Sequence, residues 1–225
     1  MATLPTTTSE ITPEWLTEAL RASGTIGSGA TVSDVAGVRG EVGVGFMGEV
    51  GTLDVTYRGD AGDAPDRIVA KFATTVPEVR AMVHPVRVFE REHRFYEQLA
   101  PLTPLRTPEV YHVTCETSED PDDEQYLLLL EDLGDLTLGD QVAGVSPEQA
   151  ESALVGLAHH HARFWNGRDL DAMSFAPVIN GPFNRAGQAI YEASLPGFME
   201  IFGSNLSPEM VTVAERYTAG HPVLL

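Results

Sequence analysis

The chain has 225 residues, 43% of them hydrophobic, which is enough for one large domain or two small lobes around a real core. A formal charge of −19 would repel nucleic acid and anionic membrane surfaces, both of which bind through clustered Lys and Arg, so neither is expected as a partner. No stretch longer than Tyr126–Leu130 is continuously apolar and Met1–Glu10 is Thr-rich, so neither a membrane span nor a secretion signal is expected; a cytoplasmic protein with Cys115 as a buried, inert thiol is.

In chain order, Thr12-Pro13-Glu14 supplies an N-cap, a first-turn proline and a dipole-favouring carboxylate, and Gly24 closes the helix carrying Trp15, Leu16, Ala19 and Leu20. From Val32 to Ile68 short β-branched runs are broken by glycine, with Arg58–Asp63 as a polar hairpin turn before the strand Ile68-Val69-Ala70-Lys71-Phe72. A second helix is expected from about Val86 to Leu99, between Pro85 and Pro101. Strands Val110–Cys115 and Gln125–Leu130 follow, joined by the acidic run Glu116–Glu124, which lacks calcium-loop spacing and reads as a solvated hairpin tip. After Gly134 the strands stop. Ser146-Pro147-Glu148-Gln149 is a capping-box start for a helix to Trp165, Met173–Pro196 shows no clear periodicity, and Ser207-Pro208-Glu209 starts a helix ending at Gly220. The whole reads as a mostly antiparallel β half with one or two helices, then a helical half.

Lys71 is the one lysine among 14 Lys and Arg residues. A chain that uses arginine for generic positive charge but keeps an ammonium at one strand position suggests a point charge aimed at phosphate, although chance survival would look the same. Upstream, Gly43-Val44-Gly45-Phe46-Met47-Gly48-Glu49-Val50 fits G-x-G-x-x-G-x-V. In a dinucleotide-binding unit the third glycine opens a helix, whereas Thr52–Tyr57 alternates as a strand does. The loop therefore joins two strands, as does the flap over ATP phosphates in kinases; a flexible β-turn and a flavin- or NAD-binding loop are the alternatives.

In the helix that follows, Val88, Phe89, Phe95, Tyr96 and Leu99 share one face with Glu92 in its middle, while Glu90, Arg91, Arg94 and Glu97 point elsewhere. An unpartnered carboxylate against a sheet costs several kcal/mol, on the order of the buried-charge penalty, which makes Lys71 its partner unless Glu92 snorkels outward. Tyr126–Leu130 then runs into Glu131-Asp132-Leu133-Gly134, where a kinase hinge belongs.

Together with Glu92-His93-Arg94-Phe95-Tyr96, Pro108-Glu109-Val110-Tyr111 and Leu157–Trp165, these motifs resemble the aminoglycoside phosphotransferase and ecdysteroid-kinase-like families over about Thr12 to Trp165. The resemblance implies an α+β, protein-kinase-like fold. An antiparallel nucleotide-binding N-lobe with one bracing helix would span 1–133, and an incomplete α-helical C-lobe 134–225. It implies an ATP-dependent phosphotransferase acting on a hydroxylated small molecule, with Mg²⁺ as the second cofactor. Gly43, Gly45, Phe46, Met47 and Gly48 would cover the phosphates, Lys71 would hold them, Glu92 would brace Lys71, and backbone groups of Glu131 and Leu133 would contact adenine.

The family's chemistry also needs H-x-D-x-x-x-x-N and a later Mg²⁺-binding Asp. None of Asn166, Asn180, Asn184 and Asn205 has an aspartate five residues before it, and no aspartate follows Asp171. No catalytic or metal-binding residue is assigned, and the chain reads as the N-terminal fragment of a kinase. A non-catalytic, pseudokinase-like nucleotide- or partner-binding module is the alternative. A fragment would leave apolar faces of the 147–165 and 208–219 helices uncovered, inviting aggregation. Consecutive His159, His160 and His161 diverge on a helix and make no metal site; His161, on a face with Leu154, Leu157 and Phe164, is expected in the core. Asp169-Leu170-Asp171 reads as a polar turn.

Overall fold

The computed structural model describes residues 4–38, 48–134, 136, 139–140, 142–176 and 182–224. The chain forms two compact units, Met1–Asp169 and Leu170–Leu225. The first opens with α1 (Pro13–Ala22). Thr12 accepts the Trp15 N–H at 3.2 Å, Pro13 occupies the first turn, and Gly24 takes φ +78° just past the end.

Five strands, β1 (Thr31–Val38), β2 (Gly48–Arg58), β3 (Arg67–Ala73), β4 (Val110–Glu116) and β5 (Gln125–Glu131), make one antiparallel sheet in the order β1-β2-β3-β5-β4. A strand directly after Gly48 removes the dinucleotide-loop alternative, which requires a helix there. Gly59 and Gly62, both at positive φ, turn the chain from β2 into β3, and Asp60 accepts the Gly62 N–H at 3.1 Å.

β3 is central, and its alternation separates two cores. Ile68, Ala70 and Phe72 join Leu16 and Leu20 of α1, Leu53, Val55, Leu127 and Leu129 on one face. Val69 and Ala73 lie on the other with Tyr126, Leu128 and Leu130, where Val83 and Phe89 of the covering helices close the packing. Antiparallel register sets Lys71 between Val50 of β2 and Leu128 of β5, on this second face.

The covering helices depart from expectation. A helix α2 (Pro77–Val83) that the sequence reading omits precedes the expected one; Pro77 at its first position and Glu78 in its first turn are the start signals that mark it. A single 3₁₀ turn, His84–Val86, follows, and Arg87 at φ +50° breaks the chain before α3 (Val88–Arg94), so the expected start at Val86 lies two residues early. Phe95–Leu99 continues as one π-helical turn, closed by Ala100 N–H donating to Phe95 O at 2.8 Å.

The acidic β4–β5 connection is less solvated than expected. Arg80 of α2 donates to the carbonyls of Thr74 and Pro121, each at 2.9 Å, and to that of Glu124, and the Glu124 side chain is enclosed. Burial raises the pKa of its carboxyl, with His84 and Arg80 opposing.

α4 (Pro147–Phe164) starts on a complete capping box between Ser146 and Gln149. Its packed stripe is Gly156, His160 and Phe164 at four-residue spacing. His160 Nδ1 pairs with Thr103 Oγ1 at 2.7 Å, and a Cβ on Gly156 would come within 3.2 Å of Leu105. The hydrogen-bonded histidine is therefore His160, not His161, which is exposed. The leucine-bearing face that suggested His161 is open to solvent, with Leu154 65% exposed. Arg163 pairs with Asp169 at 2.9 Å beside the 3₁₀ turn Arg168–Ala172.

In the second unit α5 (Pro182–Phe202) and α6 (Pro208–Leu224) form a helical hairpin, tied by Tyr191 Oη donating to Ala214 O at 2.9 Å and by an edge contact between Tyr191 and Tyr217. α5 lies in the stretch without clear periodicity, because Pro196 inside the helix interrupts the pattern, and α6 runs past Gly220. Ile190 and Ile201 of α5 and Met210 and Val213 of α6 are exposed. Among the described residues no helix is long and apolar enough to cross a membrane.

Candidate functional site

The second face of the sheet holds the expected ion pair. β3 carries Lys71 across from Leu128, α3 lies over that face through Phe89, and Lys71 Nζ donates directly to Glu92 Oε1. Both side chains keep solvent access, 30% for Lys71 and 27% for Glu92. Such a pair contributes no more than about 1 kcal/mol to folding, less than the several kcal/mol expected had Glu92 been sealed in the core. Its value lies in placement: the ammonium is fixed beside the strand that starts at Gly48, yet can be reached.

Glu92 is not the single acidic group turned inward. Glu90, expected to point outward, is 20% exposed and pairs with Arg94 at 2.8 Å and Arg87 at 3.7 Å. Sequence reasoning also missed Tyr126. Its ring stacks on Phe89 with centroids 5.1 Å apart, and its hydroxyl is sealed near the Glu92 carboxylate without a hydrogen bond of normal geometry among the described residues. Burial, then the nearby Glu92 carboxylate, push its pKa up. Strand parity was the available signal: Tyr126 lies two residues from Leu128, the cross-strand partner of Lys71.

Of the glycine-rich motif, Gly43, Gly45, Phe46 and Met47 lie outside the described residues. Gly48 is paired with Ala73, and a Cβ there would fall 2.5 Å from the Phe72 carbonyl, so close strand approach already requires glycine at this position. At Gly51 the near neighbour is a side chain: Thr8 Cγ2 would be 2.4 Å from an added Cβ.

At the other end of β5, Glu131 accepts from Arg106 at 2.5 Å and from the Glu109 N–H at 3.1 Å. The Glu109 amide, and after it Arg106, hold the Glu131 carboxyl below the usual range. The Glu131 N–H donates to Glu109 O at 2.9 Å. Leu133 O accepts from Leu136 N–H at 2.8 Å, and the Leu133 N–H has no hydrogen-bond partner among the described residues. Asp132 pairs with Arg67 at 3.0 Å and accepts the Gly134 N–H, so ion pairs and an Asx turn fix the segment after β5. Cys115 is half-buried, and burial pushes its thiol up to about 12, an unreactive state.

Comparison with family models matches residues 42–217 to the ecdysteroid kinase-like family, most of the chain, from ahead of Gly43 into α6. The chain belongs to the ecdysteroid kinase-like family. No curated protein and no solved structure matches it significantly. Membership places it among small-molecule kinases, whose reaction uses ATP and Mg²⁺. Its five-stranded antiparallel sheet followed by helices is the α+β, kinase-like N-lobe with part of a helical C-lobe. The two cofactors fit these residues unequally. An accessible ammonium braced by a carboxylate suits a triphosphate. For the metal, no group of three His, Cys, Asp or Glu among the described residues is arranged to hold an ion.

Proposed function

We propose that residues 1–133 form a nucleotide-binding lobe that grips the phosphates of ATP through Lys71, held in place by Glu92 beneath the Gly43–Gly48 segment. The adenine would dock against the Glu131 carbonyl and the Leu133 N–H. The direct contact between Lys71 and Glu92, on the face of the sheet next to Gly48, carries this reading. ATP, when bound, would supply the transferable γ-phosphoryl group; the chain's own residues would orient it. In the kinase reading, the acceptor is the hydroxyl of a small molecule and a helical region from 134 onward contributes to its site.

A second reading has its own observation. The sequence holds no H-x-D-x-x-x-x-N, the loop that would orient or deprotonate the acceptor and ligate Mg²⁺, which favours nucleotide binding without transfer by these 225 residues. Incubation with Mg²⁺ and γ-labelled ATP across a panel of hydroxylated compounds, alongside calorimetric titration of MgATP, separates the two. Label on a panel member supports the kinase reading, saturable binding without transfer supports the binding module, and no binding overturns both.

A further inference from the structure

The Lys71–Glu92 pair is one donor short. An ionised carboxylate offers about four acceptor sites, and Lys71 occupies Oε1. Near the same carboxylate lies the Tyr126 hydroxyl, on the strand that faces α3, enclosed by protein and without a hydrogen bond of normal geometry among the described residues. Buried hydroxyls are rarely left unsatisfied, so a donor sealed beside an acceptor with spare capacity is an arrangement poised to close. The rest of Tyr126 is fixed. Its backbone pairs with Cys115 in the sheet, its ring lies on Phe89, and only 3% of the residue is exposed. The movable partner is Glu92, which reaches the sheet from α3 with partial solvent access. Tyr96 also lies near Glu92, but it sits on the π-helical turn that continues α3 and moves with that element.

We infer that Tyr126 is a positioning residue for the nucleotide site: its hydroxyl donates to Glu92 when the Lys71 ammonium turns toward bound phosphate, so the carboxylate keeps a rigid, buried anchor while sharing its lysine. This rests on the nucleotide-site reading of Lys71 and Glu92. Lysine has three donors and a compact head, so it serves Glu92 and a phosphate oxygen together only if Glu92 stays in place. The sheet-borne phenol supplies that constraint.

The test compares Tyr126→Phe, which keeps the ring and its stacking on Phe89, with Lys71→Ala and wild type. MgATP affinity of Tyr126→Phe is expected to fall about tenfold, the scale of one hydrogen bond to a charged group, with the thermal midpoint unchanged or raised because an unpaired buried hydroxyl is removed. In ¹³C-tyrosine-labelled wild type, the Tyr126 ring-carbon resonance next to oxygen is expected to shift on adding MgATP, and to stay still in Lys71→Ala. Wild-type affinity in Tyr126→Phe, or an unmoved Tyr126 resonance at saturating MgATP, overturns the inference and leaves the nucleotide site standing if Lys71→Ala has lost binding. If Lys71→Ala binds MgATP like wild type, the site reading itself falls and the role of Tyr126 falls with it.

Discussion

On one face of β3, Ile68, Ala70 and Phe72 are sealed against α1. On the other, one residue out of step, Lys71 meets Glu92 in partial contact with water. The first face is continuous hydrocarbon whose worth scales with buried area. The second combines an apolar floor of Leu128 and Leu130 and the Tyr126 phenol of β5 with ionisable groups drawn from α2, α3 and the β4–β5 connection: Arg80, Glu90, Glu92 and Glu124. A single strand thus divides the work by parity, stability from even positions and a held ammonium from an odd one, and a one-residue register slip would exchange the two.

The sharpest way to break this contrast is Phe72→Ala, which empties a fully enclosed site on the sealed face. It is expected to cost about 3–5 kcal/mol in urea unfolding, against no more than about 1 kcal/mol for Lys71→Ala on the other face. Equal losses would mean the faces do not differ in role. Glu92→Gln comes next: stability is expected to change by under about 1 kcal/mol, while the affinity for MgATP drops about tenfold, since an amide accepts from the ammonium without holding it by charge. Calorimetry on the folded variant reads the affinity, and an unchanged value would assign Glu92 a purely structural place.

Ser146→Ala, remote from both faces, removes the capping box of α4. It is expected to cost about 1 kcal/mol with nucleotide affinity unmoved, and an affinity change there would extend the site beyond the sheet. The smallest effect belongs to Glu124. Its folded-state pKa is raised above the ordinary 4.5, so the folded state favours the protonated carboxyl. That contribution is complete below the unfolded value near 4.5 and is lost as pH rises through the folded one. Glu124→Gln should therefore be the more stable protein at pH 7, with its advantage shrinking as pH falls toward 4.5. A pH-independent gap between the two urea midpoints would refute the assignment.

Much of this architecture was legible in the sequence. The cap at Thr12, the alternation on either side of Lys71, the apolar Tyr126–Leu130 strand and the Ser146 capping box each carry a local physical signal, and each element formed there. Lys71 and Glu92 were paired by composition and helical angle, and they touch. What escaped depended on tertiary setting. The left-handed Arg87 breaks the chain before α3 and pairs with Glu90, a turn that no periodicity announces. α4 packs through Gly156 beside Leu105 and through His160 bonded to Thr103, so the hydrogen-bonded, half-buried histidine is one position from where the apolar pattern put it. Gly48, credited to phosphate from the motif, is also demanded by the Phe72 carbonyl, a contact that exists only once β2 and β3 pair. Helix α5 was hidden by Pro196 within it.

The measurement closest to the central claim is an isothermal titration of MgATP into the 225-residue chain and into its Lys71→Ala variant, with both proteins shown to be folded by their thermal transitions. Saturable binding by the first and none by the second is the expected result. Equal binding by both would show that the ammonium held by Glu92 is not what grips the nucleotide.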